Sequence, residues 1–305
     1  MEKPSFKIEA SDAKSMGQST GLTLTQLLPT IVKSAQPLAR VPISKFHVAA
    51  VGVGISGRIF VGVNVEFPGL PFHHTIHAEQ FLLTNLFQNK ETQLQYLAVS
   101  AAPCGHCRQF LQEIRGASDI PLLITPESEF TSLSKFLSHP FGPHDLLPKH
   151  VPLLLEPHNN DLSFLDTGSN TGSNGYNNND NTNQSSISKL KVAALEAANE
   201  SHAPYSESPS GVALLDSRGN VYKGSYMESA AYNPSLGPVQ AAIVGFIAGA
   251  GDNAAEYGEL VEAVLVEKDD AVVKQESTAR LLLSSIAPQC GFNTFLCISN
   301  NKKSN

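Results

Sequence analysis

Residues 167–186 read TGSNTGSNGYNNNDNTNQSS, and Tyr176 is their one apolar side chain. A segment of that composition cannot bury enough surface to offset the entropy of ordering it, so it reads as a flexible linker. The linker is a strong constraint on the fold. It divides the chain into halves of about 165 and about 120 residues, each of which must close a core of its own. With 41% hydrophobic and 16% charged residues, there is apolar material enough for two such cores.

The halves follow one plan. In the first, Leu22–Ala35 is predicted helical and is ended by Pro37, and Phe46–Val53 and Ile59–Val65 are β-rich runs turned at Gly57. His77 opens a helix with Ala78, Leu82 and Leu86 on one stripe. A strand is expected over Leu94–Ser100, a helix over Cys104–Ile114 and a strand over Ile120–Thr125. Strands alternating with helices imply an α/β/α layered domain. The second half echoes this: Pro204-Tyr205-Ser206 answers Pro42-Ile43-Ser44, and Gly224-Ser225-Tyr226-Met227-Glu228 answers Gly62-Val63-Asn64-Val65-Glu66. Aligning Gln80 with Gln240, and Arg108 with Arg280, keeps the helices in step, so a duplicated domain is the economical explanation.

The formal net charge is −7, with no cluster of Lys or Arg. Binding to polyanionic DNA or RNA is driven by counterion release from a basic face, so this balance points to a small, neutral or weakly charged substrate instead. Met1–Gly17 mixes acids and bases without an apolar run, which disfavours a signal or transit peptide, and no stretch reaches the length of a membrane span. The expectation is a cytoplasmic protein that meets neither membrane nor nucleic acid.

The chemistry is concentrated in His77-Ala78-Glu79 and Pro103-Cys104-Gly105-His106-Cys107. Zinc prefers imidazole nitrogen and thiolate sulfur; Cys104 and Cys107, one helical turn apart, can turn both sulfurs to one ion. They open a helix, where the dipole favours thiolate. His77 supplies a third ligand, leaving the fourth tetrahedral position for water, as in catalytic rather than structural sites. Glu79, two residues beyond His77, is placed to hydrogen-bond that water. H-x-E with P-C-x-x-C is the zinc-deaminase signature. A structural half-site or redox pair is the duller alternative for a CxxC. The first needs a fourth ligand, and Cys290 and Cys297 lie beyond the linker; the second has no use for His-Ala-Glu. Helical geometry turns His106 away from the cysteine pair. His73, His74, His139, His144 and His150 are expected in loops, and Cys290 and Cys297 as small buried hydrophobes.

On these residues the sequence resembles the cytidine deaminases, specifically the larger homodimeric type with one active and one decayed domain per chain. The resemblance is carried by Pro42-Ile43-Ser44-Lys45-Phe46, Gly62 to Glu66, Thr75 to Gln80, Pro103 to Phe110 and Phe141-Gly142-Pro143-His144-Asp145-Leu146. It implies a duplicated three-layer α/β/α fold with a mixed sheet in each domain. The implied organisation is an extension over 1–20, a catalytic zinc domain over 21–157, a linker over 158–187 and a degenerate, zinc-free domain over 188–305. It further implies that Asn64 and Glu66 bond the ribose 3′-hydroxyl, with Val65 between them, and that Phe46 packs on the pyrimidine. The backbone at Ala78 would read the base edge and Phe141 would close over the ring. Taken by themselves, Phe46 reads equally as core, and Asn64 and Glu66 as the polar face of a strand.

Under the alignment His77 falls opposite Gly237, Glu79 opposite Val239, Cys104 opposite Glu276 and Cys107 opposite Ala279, so the second half should hold no metal, and one zinc per chain is expected. Glu228 and Arg280 survive there as structural residues. By resemblance, this half completes the partner chain's site through Ala231 and Tyr232. The expected reaction is hydrolysis of cytidine and 2′-deoxycytidine in pyrimidine salvage: zinc on His77, Cys104 and Cys107 acidifies water, hydroxide attacks C4, and Glu79 shuttles the proton to N3 and then to the leaving amine. A polynucleotide deaminase would share the signature but needs a basic channel, and an inactive interaction protein would not retain an open three-ligand site beside a glutamate.

Overall fold

In the computed structural model, which describes residues 5–127, 129–164, 181–250 and 255–300, the chain builds two mixed β-sheets, each with its own helices. It divides into two units. The first comprises Met1–Pro157, Met227–Leu236 and Val244–Ala255; the second comprises His158–Tyr226, Gly237–Ile243 and Glu256–Asn305.

The first unit contains strands β1 (Lys7–Ile8), β2 (Ala49–Gly54), β3 (Ile59–Val63), β4 (Leu94–Val99), β5 (Pro121–Ile124) and β6 (Thr131–Ser132), ordered β1-β3-β2-β4-β5-β6. Its helices are α1 (Ala10–Thr20), α2 (Leu24–Ala35), α3 (Ala78–Gln88), α4 (Gly105–Phe110) and the single turn α5 (Pro143–Leu146). All pairings are antiparallel except β4 with β5, which are parallel, with Leu97 opposite Leu122. Parallel neighbours need a crossover, and α4 lies in it. Every residue of β2 and β3 is buried, as their uninterrupted apolar runs require.

Local chemistry sets the ends of these elements. α2 begins two residues later than expected because Thr23 caps it: Thr23 Oγ1 accepts from Gln26 N–H, and Gln26 Oε1 accepts from Thr23 N–H. Its Leu27, Leu28, Ile31, Val32 and Ala35 are buried, one apolar face at helical spacing. The strand expected from Phe46 starts only at Ala49. Asn64 takes the place of the ladder there, with Oδ1 accepting from Val48 N–H at 2.9 Å and Nδ2 donating to Phe46 O at 2.9 Å. The helix expected over Cys104–Ile114 is α4 followed by a 3-10 turn over Leu111–Glu113. Residues 5–20 add to the first unit: β1 pairs along β3, Phe6 stacks on Phe81 at 5.2 Å, and Asn85 Nδ2 donates to Phe6 O at 2.8 Å.

The second unit contains β7 (Leu162–Phe164), α6 (Asn181–Asn199), β8 (Ser210–Asp216), β9 (Val221–Ser225), β10 (Leu260–Lys268), α8 (Glu276–Ile286) and β11 (Gly291–Ser299), in sheet order β7-β11-β10-β8-β9. Here β10 and β11 are the parallel pair. A further helix, α7 (Pro238–Gly249), precedes β10. Leu190, Ala194 and Ala198 of α6 close on Leu162, Ala213, Val264, Val266 and Cys297. Of the linker expected over 158–187, residues 165–180 lie outside the described residues. On one side Leu162 is drawn into the core as β7 pairs with β11, and on the other residues 181–187 are already part of α6.

The internal repeat has a steric counterpart. A Cβ on Gly62 would lie 2.2 Å from Ala78 O, and one on Gly224 would lie 2.1 Å from Ala242 N and 2.2 Å from Pro238 O. In both halves a strand is pressed so closely onto a helix start that only glycine fits. The bridge Val65–Ile76 likewise has its counterpart in Met227–Leu236. The α/β class, the mixed sheets and the duplication are therefore as the sequence implied.

Candidate active site

The zinc-signature residues are presented by two helix starts. Ile76 and Val65 exchange main-chain hydrogen bonds at 3.0 and 2.9 Å, which carries the chain past Asn64 and Glu66 and into His77. His77 is extended (φ −78°, ψ 154°) and is the residue on which α3 begins; its N–H donates to Gln80 Oε1 at 3.1 Å. Cys104 stands in the same place before α4, also extended (φ −69°, ψ 169°), with its carbonyl accepting from Arg108 N–H. Arg108 braces this entry, donating from Nε to Pro103 O at 2.7 Å and from Nη1 to Phe136 O at 2.9 Å. Unsatisfied N–H groups at both starts favour negative charge where the two meet.

Cys104 Sγ lies 3.7 Å from Cys107 Sγ and 3.6 Å from His77 Nδ1, and Cys107 Sγ lies 3.3 Å from the same nitrogen. Tetrahedral zinc with bonds of about 2.3 Å to sulfur and about 2.0 Å to nitrogen sets sulfurs about 3.8 Å apart and sulfur from nitrogen about 3.5 Å apart. The three donors thus stand near the corners of one tetrahedral face. Their protonation fits a cation as well. Hydrogen bonds with Cys107 and then His77 pull the Cys104 thiol down to about 3. Its hydrogen bond with Cys104, and then burial, push the Cys107 thiol up. A Cys104 sulfur disposed to the thiolate is suited to bind a cation. His77 is raised by its contact with Cys104.

Glu79 is 4% exposed, and its Oε2 lies 3.2 Å from Cys107 Sγ. Burial raises its carboxyl above the ordinary range and outweighs its hydrogen bonds. His106 differs from expectation. It does not turn away but stacks on His77, ring centroids 4.7 Å apart, because the short first turn of α4 lays it along the histidine. With His77, Cys104 and Cys107 it forms the one group among the described residues able to hold a metal. Burial lowers the pKa of His106, and its Nδ1 is buried without a hydrogen-bond partner. His73 and His74 lie in a separate 3-10 turn.

The residues expected to meet substrate fall into distinct environments. Asn64 and Glu66 are not a solvent face. Glu66 is 5% exposed, and its Oε2 accepts from Ile43 and Ser44 N–H at 2.9 and 3.0 Å. Burial raises this carboxyl, but the hydrogen bonds from Ser44 and Ile43 prevail and hold it low. Asn64 and Glu66 therefore shape the 43–48 segment, which leaves Phe46 62% exposed. Val65 is wholly buried, with both main-chain groups engaged by Ile76, because strand alternation turns it inward between its polar neighbours. Ala78, also buried, is the first residue of α3. Phe141 is partly exposed, and its carbonyl accepts from Gln109 Nε2 at 2.6 Å. Ala231 and Tyr232 lie in the 227–236 segment of the first unit; Tyr232 is exposed with φ +59°.

At the aligned positions of the second half, Val239 and Ala279 are buried apolar residues and Glu276 is paired with Arg280 at 2.7 Å. Buried Gln80 and Glu113 escaped the sequence reading as members of the site's surroundings. The spacing of Gln80, three residues past His77, is that of a helix cap and could have revealed it. Nothing in the sequence marks the partner of Glu113, whose Oε1 accepts from Ala230 N–H at 2.7 Å.

Comparison with known proteins agrees with this geometry. The model of the cytidine and deoxycytidylate deaminase zinc-binding region matches residues 23–123 and again, in a second form, residues 133–280. Cytidine deaminase 1 of Arabidopsis thaliana is 56% identical over 97% of this chain and 99% of its own length. Cytidine deaminase 6 of the same plant is 49% identical over 90% and 93%. The cytidine deaminase of Yersinia pestis (strain Pestoides F) is 37% identical over 92% and 86%. With two matching regions in tandem and relatives alike over nearly their full lengths, the chain belongs to the cytidine and deoxycytidylate deaminase family, with zinc as its cofactor.

Proposed function

We propose that this protein hydrolyses the 4-amino group of free cytidine and 2′-deoxycytidine, giving the uridine nucleoside and ammonia. The observation that carries the reading is the buried Glu79 carboxyl beside three converging metal donors. His77, Cys104 and Cys107 would hold the ion. Zinc so held supplies the Lewis acidity that makes water nucleophilic near neutral pH. Glu79 takes the water's proton, delivers it to ring N3, and carries a second proton to the departing amine. A carboxyl raised by burial is suited to serve as base and then acid. Half-buried Asn64 and buried Glu66 select ligands with a ribose 3′-hydroxyl through the hydrogen-bonding capacity that their bonds to the 43–48 segment do not use. Phe46 and Phe141 present apolar surface to the base, and Ala78 lies at the helix start that meets its edge. The second half binds no zinc, so each chain carries one ion.

A net charge of −7 supports free nucleosides over polynucleotides. Such a reaction returns cytosine nucleosides to the uracil pool, which is a salvage step, and we place it in the cytoplasm. Among the described residues no helix is long and apolar enough to cross a membrane. A homodimer, completed through Ala231 and Tyr232 of the partner chain, is the assembly we expect; sedimentation as a monomer at working concentration would overturn it. The decisive assay follows loss of cytosine absorbance with cytidine, deoxycytidine and a cytosine-containing oligonucleotide in parallel, with zinc measured in the same sample. Nucleoside turnover with about one zinc per chain is expected. Turnover of the oligonucleotide alone would replace this reading.

A further inference from the structure

The mechanism above leaves Gln80 unused, although it is 2% exposed and immediately follows Glu79. Both ends of its amide are committed. Oε1 accepts from His77 N–H at 3.1 Å, and Nε2 donates to Pro234 O at 2.9 Å. The orientation is dictated by the partners, since an N–H can meet only the oxygen and a carbonyl only the amide nitrogen. Gln80 therefore ties the main chain of a metal ligand to the 227–236 segment, which belongs to the same unit. A further tie converges on that segment: Glu113, wholly buried, accepts from Ala230 N–H at 2.7 Å. Between them lies a turn that holds Tyr232 at φ +59°, closed by Tyr232 N–H to Ser229 O at 2.8 Å and Ser235 N–H to Tyr232 O at 2.9 Å. A non-glycine residue stays in that conformation only when its surroundings over-determine it.

We infer that Gln80 is a positioning residue: it locks His77, and with it the metal face, to the Ala230–Pro234 turn, so that the turn serves as the outer brace of the zinc site. The second half, stripped of ligands, thereby keeps a task in the centre formed by the first. Removing a group that orients a ligand typically costs ten- to a hundredfold in metal affinity.

The inference rests on the zinc centre of the proposed function but not on its substrate, so the test reads metal release from the purified holoenzyme. Zinc transfer to a colorimetric chelator is followed for wild type, Gln80→Leu, Gln80→Glu and Asn85→Ala. Asn85 is a buried polar residue of the same helix that bonds Val61 O and Phe6 O instead. Gln80→Leu removes both bonds and should release zinc roughly ten- to a hundredfold faster. Gln80→Glu keeps an acceptor for His77 N–H but loses the donor to Pro234, so it should still release zinc several-fold faster; it keeps the test readable if Gln80→Leu fails to fold. Asn85→Ala should lower Tm without hastening release. Release from Gln80→Glu at the wild-type rate, or from Asn85→Ala as fast as from Gln80→Glu, would overturn the inference. Wild-type protein that holds zinc yet deaminates no nucleoside would sink the proposed reaction alone.

Discussion

Glu79 has the Cys107 sulfur for its near neighbour, and burial is the strongest influence on its carboxyl, raising it against its hydrogen bonds and the pull of His77. The proposed role of Glu79 is that of a proton carrier. Glu79→Ala should keep zinc and bind nucleoside while kcat falls by roughly a hundred- to ten-thousandfold, the range for loss of a general acid–base. Zinc content and single-turnover kinetics on one preparation check this; near-normal turnover would remove Glu79 from the mechanism. Asn64 makes a different case. Its amide replaces strand hydrogen bonds to Phe46 and Val48, so Asn64→Ala should loosen the Phe46 segment and raise KM more than it lowers kcat. Equal falls in kcat and kcat/KM would assign it to the transition state instead.

At the scale of the element, the site depends on how closely strands approach helix starts. Gly62→Ala places a methyl 2.2 Å from Ala78 O and 2.4 Å from Leu82 N. These are backbone atoms that cannot swing aside, so a cost of about 3 kcal/mol and a Tm lower by roughly 5–10 °C are expected. Gly224→Ala should do the same in the second half, and a neutral outcome at either position would contradict the packing. The β8–β9 turn offers a pH signal. Asp216 is buried, which raises its pKa, but bonds from Asn220, Tyr222 and Arg218 prevail and bring it from 3.8 to about 2. With the folded value below the unfolded one, its contribution is complete above about pH 4 and is lost as pH falls through about 2. Urea unfolding of wild type and Asp216→Asn should differ by on the order of 2 kcal/mol near neutrality and converge toward pH 2. A difference independent of pH would assign the effect to packing.

For the whole molecule, the notable fact is how the chain is shared out: Met227–Leu236 and Val244–Ala255 belong to the first unit, although they follow most of the second in sequence. Metal held at the start of α3 and α4 should therefore be felt beyond the first 157 residues. Zinc binds the folded chain in preference to the unfolded one, so stripping it with a strong chelator should lower Tm by several degrees, and adding zinc should restore it. Calorimetry of the stripped and reloaded protein decides; an unchanged Tm would mean that the site folds without its ion.

Much of this was legible in the sequence because it is local. Zinc chemistry needs imidazole and thiolate at fixed short spacings, and helix starts are written in the few residues around them, so His77, Glu79, Cys104 and Cys107 could be named before any fold was known. Periodicity marked the strands and helices of the first half, and the echoes of 42–44 in 204–206 and of 62–66 in 224–228, with Gln80 and Arg108 answered by Gln240 and Arg280, marked the duplication. What only the tertiary structure decided involves partners far apart along the chain. Side-chain amides and carboxylates carry no record in the sequence of which distant carbonyl or N–H they will meet. Thus Asn64 ending a strand at Ala49, His106 lying along His77, Val65 turning inward, and Gln80 and Glu113 reaching residues more than a hundred positions away emerged only when the backbone had been folded around them.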